Sequence, residues 1–237
     1  GISLIRAAAK NFNDVVVLAS KEDYDLVKNW LDNQDGMITY EQRKQLAAKA
    51  FAVSSSYDML IHQYLVGEQN GFSPDFMQHI MESRPVRYGE NPHQKAIFYG
   101  NLEDTFEIYG GKELSYNNIV DIDAAVQLIK EFVQDQPTFA ILKHTNPCGV
   151  CTRDTILEAY QGALACDPLS AFGGVFIANT EIDLNTAQEI NQLFYEVVIA
   201  PSYSTDAQQL LTSNAKRIVL RLKHLQGKQH SFKTILE

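Results

Sequence analysis

The chain is poor in cysteine, tryptophan and positive charge, and it contains no long apolar run. Three Cys in 237 residues do not make a disulfide framework, so a reducing cytoplasm is expected. No apolar stretch approaches the roughly 18 residues of a membrane span, and the opening GISLIRAAAKN has no apolar signal core. With 20 Lys+Arg against 29 Asp+Glu, the formal net charge is −9. That balance argues against non-specific nucleic-acid or anionic-membrane binding, which need a basic face. An H-x-E triplet is missing as well, and with it the upstream half of the zinc deaminase signature.

What is present describes a folded protein. Hydrophobic residues make up 45% and charged residues 21%, enough to bury a core and to exclude disorder throughout. The length suits one large α/β domain or one and a half smaller ones. Charge divides unevenly. Residues 215–237 carry six Lys or Arg against Glu237 alone, a balance of +5 that leaves −14 on the rest. This basic end reads either as a phosphate or partner site or as a solvated strand edge and loop, since Lys on an edge strand blocks edge pairing. The second reading is preferred. The chain opens on Gly1-Ile2-Ser3-Leu4 and closes on Thr234-Ile235-Leu236-Glu237, which leads to the expectation of an interior piece of a longer protein.

Apolar periodicity organises the rest. Asp14–Ala19 reads as a buried parallel strand. Ser20 is a cap for a helix through Tyr24, Leu26, Val27, Trp30 and Leu31. Thr39 and Gln42 fit a capping box at the head of a long helix. Residues 67–83 read as a linker, from GEQNGFSP onward, between a region at 1–66 and a domain at 84–237. Short strands are expected at 96–99 and 105–109, and a helix is expected to start at Asn117 or Asn118. Apolar runs at 138–142, 174–178, 196–200 and 217–222 alternate with helical stretches near 154–165, 186–193 and 204–213. That alternation predicts an α/β sandwich with a mainly parallel sheet.

Several constellations bear chemistry. Arg84–Gln94 holds two Arg, a Tyr and a His in a loop pinned by Pro85, Gly89 and Pro92. It is either a clamp for phosphate or carboxylate or an interdomain hinge. Lys143-His144 follows the apolar run 139–142, at the carboxyl end of a strand where α/β sheets bind ligands. His moves protons near neutral pH and Lys stabilises an oxyanion. The bland alternative is a surface pair. Ser170, Phe172 and Gly173 belong to DPLSAFGG, which is a backbone approach to ligand or a simple turn. Leu114–Asn118 is an anion site at a helix start or a plain cap. Pro147-Cys148-Gly149-Val150-Cys151 echoes the P-C-x-x-C half of the zinc deaminase signature, but a zinc site needs a further ligand. Lys10, after Arg6-Ala7-Ala8-Ala9, either projects into a site or is an exposed lysine on a helix packed through Ala.

Taken together and in order, RAAAKN (6–11), RYGENPHQ (87–94), LSYNN (114–118), LKHTNPCG (142–149) and DPLSAFGG (167–174) resemble the bifunctional AICAR transformylase/IMP cyclohydrolase family of purine biosynthesis. The resemblance implies the end of a methylglyoxal-synthase-like cyclohydrolase domain with connecting helices. After them would come an incomplete first transformylase subdomain of cytidine-deaminase-like α/β fold. It also implies formyl transfer from 10-formyltetrahydrofolate to AICAR, giving FAICAR, which the cyclohydrolase closes to IMP. By motif match, His144 would transfer the proton and Lys143 would stabilise the transition state or assist the folate leaving group. Arg87, near the phosphate, and Tyr88 would bind the nucleotide, and Asn118, Ser170, Phe172 and Gly173 would line its pocket. Lys10 matches the cyclohydrolase lysine. The family uses no zinc and is a homodimer. A zinc-dependent nucleobase deaminase and an inactive nucleotide-binding fragment are the competing readings.

Overall fold

The computed structural model describes residues 1–67 and 76–224, which divide into two units, Gly1–His79 and Ile80–Glu237. Residues 68–75 of the expected linker and residues 225–237 of the basic end lie outside the described residues. Among the described residues, no helix is long and apolar enough to cross a membrane.

The first unit is helical: α1 (Ile2–Lys10), α2 (Asp23–Asn33) and α3 (Tyr40–Val66). Its small core joins Ala9, Val17, Ala47 and Ala50, because alanines let α1 and α3 approach closely. The Thr39–Gln42 capping box forms as the sequence predicts. Two expectations fail. Residues 14–19 form no strand, since a strand needs a ladder partner and the described part of this unit is otherwise helical. Only Val17 of that run is fully buried. Helix α2 starts at Asp23, with Glu22 rather than Ser20 as its cap residue. Ser20 instead accepts from the Glu22 amide at 3.3 Å, and Tyr24 and Leu31 face solvent.

The second unit begins with a short antiparallel pair, β1 (Ser83–Pro85) and β2 (Ile97–Tyr99). Its main sheet has six strands in the order β3-β8-β7-β6-β4-β5. They are β3 (Phe106–Gly110), β4 (Thr138–Lys143), β5 (Asn146–Thr152), β6 (Val175–Ala178), β7 (Val197–Ala200) and β8 (Ile218–Leu222). Helix α4 (Tyr116–Lys130) covers one face. Helices α5 (Ile156–Cys166), α6 (Leu184–Gln192) and α7 (Thr205–Thr212) cover the other. Strands β4, β6 and β7 are buried save Lys143 and apolar save Thr138 and Lys143, as expected when both faces carry helices.

The sheet is mixed rather than mainly parallel. Only β6-β7 and β7-β8 pair parallel, while β3-β8, β4-β5 and β4-β6 are antiparallel. For β4 and β5 the cause is local: they are joined through two residues, which forces them antiparallel. Strand β5 is not apparent from composition, because Pro147, Cys148 and Gly149 are poor strand formers. It is tolerated as the outermost strand, where a proline need not donate, and the register slips between Ile141 and Leu142. Helix α5 lies close over it. A Cβ at Gly149 would sit 2.0 Å from the Ala163 carbonyl oxygen.

The basic end is also re-read. Strand β8 lies between β3 and β7, so it is no solvated edge. Arg217 is buried, with its guanidinium 4.6 Å from the Tyr195 ring centre and bonded to Asn191. Arg221 pairs with Glu107 of β3 at 2.8 Å.

Candidate active site

The predicted site residues of the second unit gather at one end of the sheet. Three chain segments converge there, and each is held by identifiable bonds. The first is the loop after β1. Its Arg87 amide donates to the Leu114 carbonyl at 3.4 Å, and the Tyr88 carbonyl accepts from the Tyr116 amide at 3.2 Å. Arg87 donates from Nη2 to the Tyr88 hydroxyl at 2.9 Å and lies 4.7 Å from that ring's centre. Farther along, Asn117 donates to the Glu90 carbonyl at 3.1 Å. The loop is therefore fastened to the N-terminus of α4, where the Tyr116, Asn118 and Ile119 amides are already bonded and the helix dipole favours an anion.

Helix α4 is capped by Ser115, not by Asn117 or Asn118. Asn118 is the other half of the capping box: its Oδ1 accepts from the Ser115 amide at 3.1 Å and the Ser115 hydroxyl at 3.0 Å. The carbonyl of Asn118 is thus committed to the cap. The Ser115 side chain, then Arg87, holds the Tyr88 phenol below its ordinary pKa.

The second segment is the turn between β4 and β5. Lys143 and Asn146 are the last paired residues, so His144 and Thr145 alone make the turn. Both have positive φ, 51° and 64°. Thr145 donates from Oγ1 to the His144 carbonyl at 2.7 Å and Asn146 donates to the same oxygen at 2.8 Å. The His144 side chain is exposed and borders an open groove of about 240 Å³ with Glu90, Tyr116, Asn117, Asp121 and Thr145. That groove connects the hairpin tip to the first segment.

The third segment is Asp167–Gly174. Asp167 Oδ1 accepts from the Ser170 amide at 3.0 Å, and the Ser170 hydroxyl and amide hold its carboxyl below the usual range. Gly173 turns with φ 73° and donates to the Phe194 carbonyl at 2.8 Å. Phe172 packs on Phe194 with ring centres 5.4 Å apart, yet stays largely exposed. Lys143 ties this loop to the hairpin by donating from Nζ to the Phe172 carbonyl at 2.8 Å. Arg87, Tyr88, Asn118, Lys143, His144, Ser170, Phe172 and Gly173 thus belong to one connected region. Lys10 is exposed at the end of α1, in the other unit.

The cysteine pair lies on β5. Cys151 is buried against Gly162, where a Cβ would come within 2.4 Å of its sulfur. Burial, and then Asp167, push the Cys148 thiol above its ordinary pKa. Among the described residues, no three His, Cys, Asp or Glu are grouped to hold a metal.

Comparison with known proteins agrees with the motif order. A profile of the AICARFT/IMPCHase bienzyme family matches residues 8–237. This chain belongs to that family. Relatives include bifunctional purine biosynthesis protein PurH of Bacteroides thetaiotaomicron, 48% identical over all of this chain and 46% of the relative. PurH of Ruminiclostridium cellulolyticum is 43% identical over 95% of this chain and 45% of the relative. PurH of Rhodospirillum rubrum is 45% identical over 90% of this chain and 41% of the relative. The chain spans about half the length of these curated relatives. Ser115, within the expected helix start at 114–118, caps α4. Asp121, which bonds the turn, is the residue that composition and spacing leave unremarked. Its signal is an Asp one helical turn after Asn118, on the same face of α4.

Proposed function

We propose that this chain forms part of a purine-biosynthetic formyltransferase and cyclohydrolase, and that its second unit is the first of two transformylase subdomains of cytidine-deaminase-like fold. Family membership supports the reading. The observation that carries it is the Lys143–Phe172 bond, which joins two motifs far apart in sequence at one end of the sheet. The substrates are AICAR and 10-formyltetrahydrofolate, and the assembly is a homodimer working in the cytoplasm without nucleic acid, membrane or zinc.

Arg87 pairs with the nucleotide phosphate beside the N-terminus of α4, where two parallel donor bonds and the helix dipole act together. Tyr88, Asn118, Ser170, Phe172 and Gly173 fix the base and ribose. The AICAR 5-amino nitrogen attacks the formyl carbon of the folate, and His144 accepts the proton that this nitrogen loses. Lys143 stabilises the oxyanion on the formyl oxygen. The carbon–N10 bond then breaks and N10 takes up a proton, which releases tetrahydrofolate and FAICAR. Ring closure of FAICAR to IMP with loss of water belongs to the other activity, to which Lys10 contributes.

Calorimetry of AICAR binding to the full-length enzyme tests the cradle. Arg87→Ala should weaken binding by roughly 10- to 150-fold, the worth of a charge-assisted bond to phosphate. Binding unchanged by this substitution would remove Arg87 from the phosphate site and undo the proposed orientation of the substrate.

A further inference from the structure

The His144–Thr145 turn is held in a conformation that its own residues disfavour. Two-residue hairpin loops with positive φ at both positions are normally built from Asn, Asp and Gly. Here the residues are His, at φ 51°, and the β-branched Thr, at φ 64°, which is an outlier for such a side chain. Backbone outliers of this kind persist only where the surroundings hold them. Two bonds to the His144 carbonyl come from within the turn itself. One hold comes from outside it. The Thr145 amide donates to Asp121 Oδ1 at 2.9 Å, across 24 residues of sequence.

Asp121 is well placed for this. It lies in the second turn of α4, half-buried, beside the fully buried Ile122. A carboxylate on a packed helix is a stiff anchor, and an amide bonded to it makes one of the stronger hydrogen bonds. Burial raises the Asp121 carboxyl above its usual pKa, while the Thr145 amide and the nearby His144 draw it down again. The carboxylate accepts the Thr145 amide and lines the same groove as His144.

We propose that Asp121 is the positioning residue of this site: by accepting the Thr145 amide, it keeps the turn left-handed and fixes where the His144 imidazole meets the substrate amine. This rests on the reading of His144 as the proton-transfer group. Asp121 touches no substrate and acts only through the turn.

The test uses steady-state formyl transfer by the full-length enzyme, with melting temperatures recorded for every variant. Asp121→Ala should lower kcat by about 10- to 100-fold, the cost of a reacting group displaced by an ångström, and leave KM for AICAR within about twofold. Asp121→Asn keeps an acceptor oxygen and should retain kcat within about fivefold, because the bond survives without its charge. The double variant Asp121→Ala with Thr145→Gly should regain most of the lost kcat, since glycine adopts the left-handed turn without an anchor. A merely structural Asp121 would not be rescued at Thr145. Normal kcat in Asp121→Ala overturns the proposal, as does an Asp121→Asn variant as slow as Asp121→Ala, or a stably folded double variant that stays slow. His144→Ala is the control. If it transfers formyl groups normally, the reading of His144 has failed. If it is inactive while Asp121→Ala is normal, only the positioning role has failed.

Discussion

Replacing Gly149 with alanine should loosen the whole hairpin that presents Lys143 and His144. The added Cβ would lie 2.0 Å from the Ala163 carbonyl oxygen, 2.9 Å from its carbon and 2.9 Å from the Cys166 Cβ. Ordinary contact begins at 3.4 Å, so α5 and β5 must separate by roughly 1.4 Å, an overpacking shift of the kind that costs energy in a close-packed interior. The nearest obstacle is backbone and cannot swing aside. Gly149 is not among the positive-φ glycines, so backbone strain adds nothing and the clash alone sets the effect. Overpacking costs about 1–3 kcal/mol, and a backbone obstacle places this site near the upper end. In a domain of this size each kcal/mol lowers Tm by roughly 2–4 °C, which gives a fall of about 6–12 °C. Gly149 pairs with Ile141, two residues before Lys143, so kcat should fall with Tm. Calorimetric melting of Gly149→Ala checks this. A melt within about 2 °C of the parent would show that α5 does not rest on β5 as closely as described.

Tyrosines give the other predictions. The buried Tyr203 hydroxyl donates to the Leu220 carbonyl at 2.8 Å, with the Val198 carbonyl 3.2 Å away, so Tyr203→Phe should cost about 1–2 kcal/mol in denaturant titration. The Tyr160 hydroxyl is buried and has no hydrogen-bond partner among the described residues, so Tyr160→Phe should be neutral or stabilising at neutral pH. Burial, then Glu189, push the Tyr160 phenol up to about 12, and burial raises Tyr195 and Tyr203 as well. A raised phenol resists ionisation in the folded state. Its stabilising effect is whole below about pH 10 and is lost as pH climbs from there to about 12. Tyr160 alone accounts for roughly 2–3 kcal/mol of that loss, and Tyr160→Phe should shallow the alkaline decline measured by denaturant titration.

The sequence is most legible where one physical cause dominates. Apolar runs such as Phe139–Leu142 and Val197–Ala200 are strands because both faces of the sheet are covered, and nothing competes with that signal. The equally apolar run 14–19 misleads, because strand formation depends on a pairing partner that a local reading does not see. Strand β5 hides for the opposite reason. Pro147, Cys148 and Gly149 look like loop, and only the two-residue return from Lys143 to Asn146 makes them strand. The edge reading of the basic end fails because β3 pairs with β8 from more than a hundred residues away. Among the candidate site residues, those carried by ordered motifs come together in the second unit. Asp121 stays hidden because its partner is a backbone amide, and its place one helical turn after Asn118 is a weak signal beside the motifs.

The central claim is that His144 moves the proton in formyl transfer, and single-turnover transfer by full-length enzyme saturated with AICAR tests it most directly. His144→Ala should leave the AICAR dissociation constant nearly unchanged and slow the transfer step by roughly 10²- to 10⁴-fold, the worth of a positioned proton-transfer group. Transfer at the parental rate in that variant would contradict the account.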